Sequence, residues 1–559
     1  MPASSDGAFA ERPTVLVVGG IGLFGSRLSL QLIEDGWDCV VAGRREAPLA
    51  DWCVANGGRF VILDTNDAAS IERALETVQP FAVVDCAGPF QLYAEPYALH
   101  RAALRHRAHS LDIADAAEFV AGIDALDEEA REAGRTVLSG VSSTPALAAA
   151  VVRKMAGDMD IEIIESAILP GNRAPRGLSV MRSILHQVGR RVPFYRGGRW
   201  EQRAVWSATR RHDLSAEPLY AHGRLGSLVD TPDRLLFPGA FGARSVSFRA
   251  GLELPLFHRA LQIARHLGPG RLEPLARPML WVADLFKRFG SDRGGMAVEM
   301  TGRTANGWER RSWHLLVGGG AGPRIPTVPV LVALQRLRDG AMDAGARPCL
   351  HELALKDLEE AMRRFGVRTA VHVERIVPPF RAVLDDLFEQ LPPTVATFHD
   401  TIGVRRYAGR CDVEPPDGWL AKVMALVAGF PLRPSRDVEA HVTVEADGDG
   451  ETWTRHLGGK QFRSRLRVVG ERMVERFGPL DFDLDFAVEG GTMRYEVTGG
   501  RFGPISLPSA LLPRSEAFET EAEGRFRFDV GVRTRSGRRV VRYVGWLEPV
   551  PDEPPKPPC

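Results

Sequence analysis

The sequence predicts an α/β chain in three parts: an N-terminal doubly wound Rossmann domain, an α+β middle domain with a mostly antiparallel sheet, and a C-terminal all-β barrel or sandwich. Three observations lead there. Over 14–150, short apolar runs alternate with stretches carrying apolar residues at helical spacing, the pattern of a parallel sheet covered on both faces. From about 160, strands and helices mix without that regular alternation. The last third breaks into many short alternating runs separated by glycine and proline turns.

The elements follow in order. "TVLVVGG", "DCVVAGR", "RFVILDT", "AVVDCAG", "HSLDIA" and "RTVLSG" read as strands, with helices such as "AASIERALETVQ" and "EPYALHRAALRH" between them. "DIEIIESAILPG" opens the middle part, followed by a helix around "LSVMRSILHQVG" and strands in "ARSVSFRAGLEL", "GMAVEMTGRT" and "ERRSWHLLVGG". A helical arm, "RALQIARHLGPGRLEPLARPMLWVADLFKRFG", interrupts that sheet as a packed insertion, a lid, an oligomer contact or a helix resting on a membrane. In the last part the "DGDG" and "RSG" turns each join alternating runs, as hairpins do. The expected limits are 12–150, 151–385 and 390–549, with a proline-rich tail at 550–559 read as extended or disordered.

Composition narrows the function. The chain has 559 residues, 44% hydrophobic and 25% charged, too long for a single core. Its 71 basic and 71 acidic side chains cancel, so no general pull toward nucleic acid is expected. The six cysteines are scattered without a CxxC pair, so neither a disulfide framework nor a metal site is expected. No secretory leader and no apolar run long enough to span a membrane is read, which makes cytoplasmic the expectation.

The residues that carry chemistry begin with Gly20-x-Gly22-x-x-Gly25, directly after a strand and before an amphipathic helix. Gly20 permits the tight turn, Gly22 lets backbone amides approach a pyrophosphate, and Gly25 lets helix and strand lie close. The helix N-terminus adds free N–H groups and partial positive charge, so Gly20, Gly22, Leu23, Phe24 and Gly25 form the expected phosphate contact. The second strand ends in Arg44 and Arg45 rather than an acid. A carboxylate there would accept from a ribose 2′-hydroxyl, whereas guanidinium groups bind a 2′-phosphate, so NADP(H) is favoured over NAD(H). Glu46 lies just beyond and could pair with an arginine. Asp64 and Thr65 sit where adenine is contacted, and Cys86, Ala87, Gly88 and Pro89 line the mouth of the fourth strand.

Candidates for proton transfer or substrate binding are Asp112 and Asp115 at a strand end and His186 on the middle domain's first helix. Ser142, Ser143 and Thr144 offer hydroxyls at a helix N-terminus, and Arg324 could bind a carboxylate. Helix capping, a structural histidine and a surface turn account for these residues equally well. In the last part Trp453, Arg455, Phe462, Ser464 and Glu475 either line a barrel cavity or form cross-strand pairs.

The motifs "VLVVGGIGLFGSRL", "VVAGRRE", "DCAGPF", "LDIAD" and "GVSSTPAL", with "GGGAGPRIPTVPVLVALQRLRDGAMDAGARPCLHEL" further on, resemble the saccharopine dehydrogenase-like superfamily over about 1–370. The resemblance implies an NADP-binding domain and an α+β domain closing over the nicotinamide. "WTRHLGGKQFRSRL", "RMVERFGPLDFDLDF" and "GPISLPSALLP" are similar to a domain of unknown function appended to such dehydrogenases. Saccharopine itself is not the expected substrate, because the middle part shows no cluster of paired basic residues for an amino diacid and "LDIAD" is not followed by Gly-Glu. The implied function is an NADP(H)-dependent oxidoreductase acting on an imine/amine or carbonyl/alcohol pair of a small molecule. Two readings stay beside it: a catalytically silent cofactor-sensing or ligand- or partner-binding protein, and a homospermidine synthase-like transferase that recycles its cofactor. A homodimer and a peripheral membrane contact are the partner expectations.

Overall fold

The computed structural model describes residues 12–509 and 512–556. Its first sheet is built from β1 (Thr14–Val18), β2 (Asp38–Gly43), β3 (Arg59–Ile62), β4 (Ala82–Asp85), β5 (His109–Asp112) and β6 (Thr136–Ser139). The order is 3-2-1-4-5-6, every pairing is parallel, and the strand Gly345–Pro348 adds itself outside β6. This is the Rossmann order, with its reversal between β1 and β4. Helices α1 (Gly25–Glu34), α2 (Glu46–Asn56), α3 (Ala68–Val78), α4 (Ala98–Arg105), α5 (Ala117–Ala121), α6 (Asp127–Ala133) and α7 (Ala148–Ala156) follow the strands.

The alternation within β1 explains the double winding. Val15 and Val17 join the core formed with Leu28 and Leu32 of α1 and Val151 of α7. Leu16 and Val18 point the other way, onto Ile71 and Leu75 of α3 and Leu99 of α4. Each such fully buried aliphatic side chain contributes about 1.5–3 kcal/mol, so a strand with two apolar faces is stable only between two helical layers.

The middle part holds β7 (Asp160–Leu169), α8 (Leu178–Gln187), β8 (Arg191–Arg196), β9 (Arg199–Ala204), β10 (Arg210–Ala216), β11 (Leu219–Leu228), α9 (Asp233–Phe241), β12 (Ser245–Gly251), α10 (Pro255–Ala264), α11 (Ala276–Leu285), β13 (Gly294–Thr304), β14 (Gly307–Val317), α12 (Val328–Arg338), β15 (Gly345–Pro348), α13 (Leu355–Arg363) and β16 (Arg368–Ile376). Its sheet runs β10-β11-β12-β7-β13-β14-β16, antiparallel except where β12 meets β7. One face of this sheet, through Ile164, Val298 and Trp313, continues the core that begins at β1. Strands β8 and β9 form a separate hairpin. Among the described residues, no helix is long and apolar enough to cross a membrane.

The last part opens with α14 (Pro379–Leu384) and α15 (Pro393–His399) and continues through β17 (Gly403–Glu414), α16 (Trp419–Ala428), β18 (Ser435–Ala446), β19 (Glu451–Leu457), β20 (Lys460–Val469), β21 (Arg472–Phe477), β22 (Leu480–Glu489), β23 (Thr492–Phe502), β24 (Ile505–Ser506), β25 (Arg514–Ala522), β26 (Arg525–Arg533) and β27 (Arg539–Pro549). The ring β22-β21-β20-β19-β18-β17-β27-β26-β25-β23 closes where β22 pairs with β23, leaving β24 on the outside. The choice between barrel and sandwich therefore resolves as a barrel. Its core already includes Phe380, Leu384 and Phe388, so it recruits chain from before 390. Phe398 of α15 stacks on Phe526 at 4.2 Å and 8°, plugging one end.

The tail takes the extended alternative. Instead of being disordered, 550–554 lies along the β8–β9 hairpin: Tyr195 donates to the Glu553 carbonyl at 2.6 Å, and the Trp200 indole donates to the Pro554 carbonyl at 3.1 Å. Arg244 pairs with Asp552. Proline removes N–H donors but not acceptors, and these carbonyls and carboxylates find donors on the hairpin. Residues 557–559 lie outside the described residues.

Inside the barrel, burial lifts the Glu451 carboxyl to about 8, while the Trp453 indole donates to it at 2.7 Å. The folded barrel thus keeps a proton that the unfolded chain gives up near the ordinary carboxylate value, and stability falls as pH rises between those two values. From about pH 5.5 to about pH 7 this group is expected to cost the barrel about 2 kcal/mol. Glu451→Gln, which keeps an acceptor for Trp453, removes that loss. Urea denaturation at the two pH values checks it; an unchanged pH slope in the variant contradicts the assignment.

Candidate active site

The strand β1 delivers the chain to a turn in which three glycines are packed for different reasons. Gly19 has φ +71°, and a Cβ there would stand 2.7 Å from the Ala87 Cα. A Cβ on Gly20 would stand 2.8 Å from the Val41 side chain, and one on Gly25 would fall on the Gly19 carbonyl oxygen. Gly22 differs: its Cβ would meet only the Gly19 oxygen, at 3.1 Å, leaving its outer side open. Helix α1 starts at Gly25 with no side-chain cap, so amides of its first turn are left for an anion. Leu23 and Phe24 carry the backbone from the open position to the helix. The turn fits a pyrophosphate.

At the end of β2, Arg44 and Arg45 are both exposed, and among the described residues neither enters an ion pair. Glu46 does not pair with them; it opens α2, with Arg45 as the N-cap residue and no side-chain cap. Asp64 is spent locally: it accepts from the Asn66 amide at 3.1 Å, and its own amide donates to Ser70 Oγ at 3.1 Å. Thr65 follows on the same half-buried turn.

Strand β4 ends in Asp85, which the sequence reading passed over. Its carboxylate accepts from the Ala87 amide at 2.9 Å and the Tyr93 hydroxyl at 3.0 Å, and burial raises it to about 6. Those bonds shape the Cys86–Pro89 turn, with Ala87 against Gly19 and Gly88 beside Phe90. Burial pushes the Cys86 thiol well above its ordinary range, which disfavours the thiolate that nucleophilic attack requires. An acid closing an otherwise apolar strand was the available signal.

Of the proton-transfer candidates, Asp112 is fully buried. It accepts from the amides of Ala114 at 2.9 Å and Gly140 at 2.8 Å, and His100 lies 3.2 Å away. It fastens the ends of β5 and β6 and does not open to the cleft. Asp115, three residues on, is exposed to solvent. Its recessed setting, with Asp230 as a like-charged neighbour, raises it to about 6.

The middle part covers this edge. The approach to α8 passes over the glycine turn, where a Cβ on Gly177 would stand 3.3 Å from the Leu23 Cβ. Further along, Gln91 donates to Ser183 Oγ at 3.1 Å. His186, one turn beyond, is engaged instead by Glu273 of the arm, at 3.4 Å. Buried Arg234 joins the two parts, donating to Asp230 at 2.6 Å, to Glu118 of α5 at 2.7 Å and to the Pro193 carbonyl at 3.2 Å.

Ser142, Ser143 and Thr144 are buried, and Thr144 donates to Asp233, whose carboxyl burial raises to about 7. Arg324 lies against Phe365 at 5.2 Å and 3.5 Å from Gln31 of α1. In the barrel, Trp453, Arg455, Phe462, Ser464 and Glu475 all point inward and are buried. Arg455 donates to Ser464 at 2.8 Å and lies 3.4 Å from Glu475. The cavity that Trp453 and Arg455 help to line is about 30 Å³, room for a water and not for an apolar ligand.

The family model of the NAD dependent epimerase/dehydratase family matches residues 15–124, and that of a domain of unknown function, DUF4166, matches 391–547. A comparison with curated proteins returns no match. Among solved structures, the chain is similar to saccharopine dehydrogenase (L-Glu forming) from Saccharomyces cerevisiae, at 13% identity and a TM-score of 0.47, covering 65% of this chain and 100% of that one. It is also similar to the Bordetella bronchiseptica enzyme WbmG in complex with NAD, at 20% identity and a TM-score of 0.16, covering 19% of this chain and 38% of that one. A third is BdcA in complex with NADPH, at 17% identity and a TM-score of 0.20, covering 23% of this chain and 68% of that one. The N-terminal part has the nicotinamide-dinucleotide-binding Rossmann fold.

Proposed function

We propose that the chain is an NADP(H)-dependent oxidoreductase whose reaction takes place beneath α8, at the carboxyl edge of the first sheet. The observation that carries this is the pairing of an open glycine turn with two unneutralised arginines at the end of β2. Bound there, the cofactor supplies or accepts a hydride. The amides at the head of α1 hold the pyrophosphate, Arg44 and Arg45 hold the 2′-phosphate, and the Cys86–Pro89 turn lets the backbone pass close. The segment around Gly177 covers the turn and sheds water from it. Asp115, with a carboxyl that changes charge near pH 6, accepts or returns the proton that accompanies hydride transfer to an imine or carbonyl carbon.

Fluorescence titration of the purified chain with NADPH and NADH tests the reading; NADPH is expected to bind more tightly, and failure of both to bind overturns it. Multiple-turnover NADPH oxidation with screened imines and carbonyls separates an oxidoreductase from a silent binder. With a substrate so found, Asp115→Asn is expected to lower kcat about a hundredfold and to erase the pH-profile limb near 6, leaving NADPH affinity in place. An unaltered profile would assign the proton to another group.

A further inference from the structure

The arm between β12 and β13 carries apolar side chains that nothing in the chain covers. Helix α10 buries His258 and Leu261 inward and turns Leu256 and Ile263 outward, the latter 73% exposed. Helix α11 buries Ala276 and Ala283 and exposes Trp281, at 69%, and Leu285. These outward residues repeat at i, i+7 and i, i+4, so each helix turns one exposed apolar pair outward on the face that also carries Arg259 on α10 and Arg277 and Asp284 on α11. Along the same arm stand Arg259, Arg271, Arg277, Lys287 and Arg288, all exposed and, among the described residues, without an ion pair. The arm's acids are Glu253, paired with Arg224, Glu273, engaged by His186, Asp284, and Asp292, which accepts from the Gly319 amide. Where α10 ends, a cleft of about 500 Å³ opens, walled by Arg191, Arg203, Arg265 and His266. Arg191 donates to the Gln202 carbonyl at 2.8 Å, Arg265 to the Trp206 carbonyl at 3.2 Å and to His266 Nε2 at 3.4 Å, and Arg203 lies 3.5 Å from Glu201.

We propose that α10 and α11 form a docking face for an anionic phospholipid surface, with the basic cleft beside α10 taking a headgroup phosphate. Apolar side chains set among unneutralised cations, with a tryptophan at the edge, suit the boundary between acyl chains and anionic headgroups. A second copy fits poorly, because a self-complementary contact through this face would bring the same cations against each other. The proposal does not depend on the nucleotide site.

Flotation of the full chain with vesicles of phosphatidylcholine alone, or with about a third phosphatidylglycerol, tests it. Binding to the anionic vesicles is expected, at least tenfold stronger than to the neutral ones and weakened by salt. Ile263→Ser with Trp281→Ala is expected to cut that binding at least tenfold. Arg191→Gln with Arg265→Gln is expected to reduce the preference for anionic vesicles severalfold, and an unchanged thermal midpoint shows that each variant is folded. Absence of vesicle binding, equal binding to both vesicles, or retention of binding by both folded variants overturns the proposal. So does self-association abolished by the apolar variant without vesicle binding by the parent, which would assign the face to a second copy.

Discussion

Arg234→Met is expected to destabilise the joined N-terminal and middle parts by about 3–5 kcal/mol. The Arg234 side chain is fully buried and bonded to Asp230, Glu118 and the Pro193 carbonyl. Methionine fills similar volume, so cavity formation is a small part of the loss. The larger part comes from Asp230, itself buried, which would lose its principal counter-charge. Burial already raises the Asp230 carboxyl and Arg234 opposes that rise; without the arginine it rises further. Its folded value then stands above its unfolded one, so stability is retained at low pH and lost as pH increases toward the folded value. The deficit in the variant should accordingly be larger at about pH 7 than at about pH 5. Thermal unfolding followed by tryptophan fluorescence checks both points, with the barrel's transition as internal reference. An unchanged midpoint, or a deficit independent of pH, would mean that Arg234 packs without pairing.

Local rules made the first sheet legible: β1 is apolar on both faces, and only a strand between two helical layers can bury Val15 and Leu16 at once. The glycine turn was legible too, because the reasons for Gly20 and Gly25 lie within a few residues of chain. Partnerships across long separations were not. The dual bond of Arg234 spans Glu118 and Asp230, and nothing in "TPDRLLF" marks that arginine apart from the many others. The same gap explains Asp112 and Asp115. Both sit beyond one strand end, yet the Gly140 amide reaches Asp112 while the approach of Asp230 singles out Asp115. Proline content leaves the tail open between extended and disordered, because it reports missing donors and says nothing of the acceptors that Tyr195 and Trp200 find. Barrel closure depends on β22 meeting β23 in register, which alternation alone leaves open between a sandwich and a ring.

Replacing Arg44 and Arg45 together by alanine is expected to weaken NADPH binding by about 3–4 kcal/mol, roughly a hundred- to a thousandfold, while NADH changes less than threefold. Each guanidinium offers a charged hydrogen bond to a phosphate, and neither has a competing carboxylate to release first. Both side chains are exposed, so part of their attraction is screened and the NADPH affinity of the parent falls with salt more steeply than that of the double variant. The two positions can be separated further. Arg45 occupies the N-cap of α2 with φ −124° and ψ 124°, and its side chain makes no capping bond. Asp is among the preferred residues in that geometry and also suits a ribose 2′-hydroxyl. Arg45→Asp should therefore repel the 2′-phosphate, favour NADH and support α2 by up to about 1 kcal/mol. Titration of the two variants with both cofactors decides the matter. Equal losses for NADPH and NADH would make the arginines general surface charge, and an unchanged NADPH affinity would place the 2′-phosphate elsewhere. A switch confined to Arg45→Asp would tie cofactor choice to the one residue that ends β2's turn and starts α2.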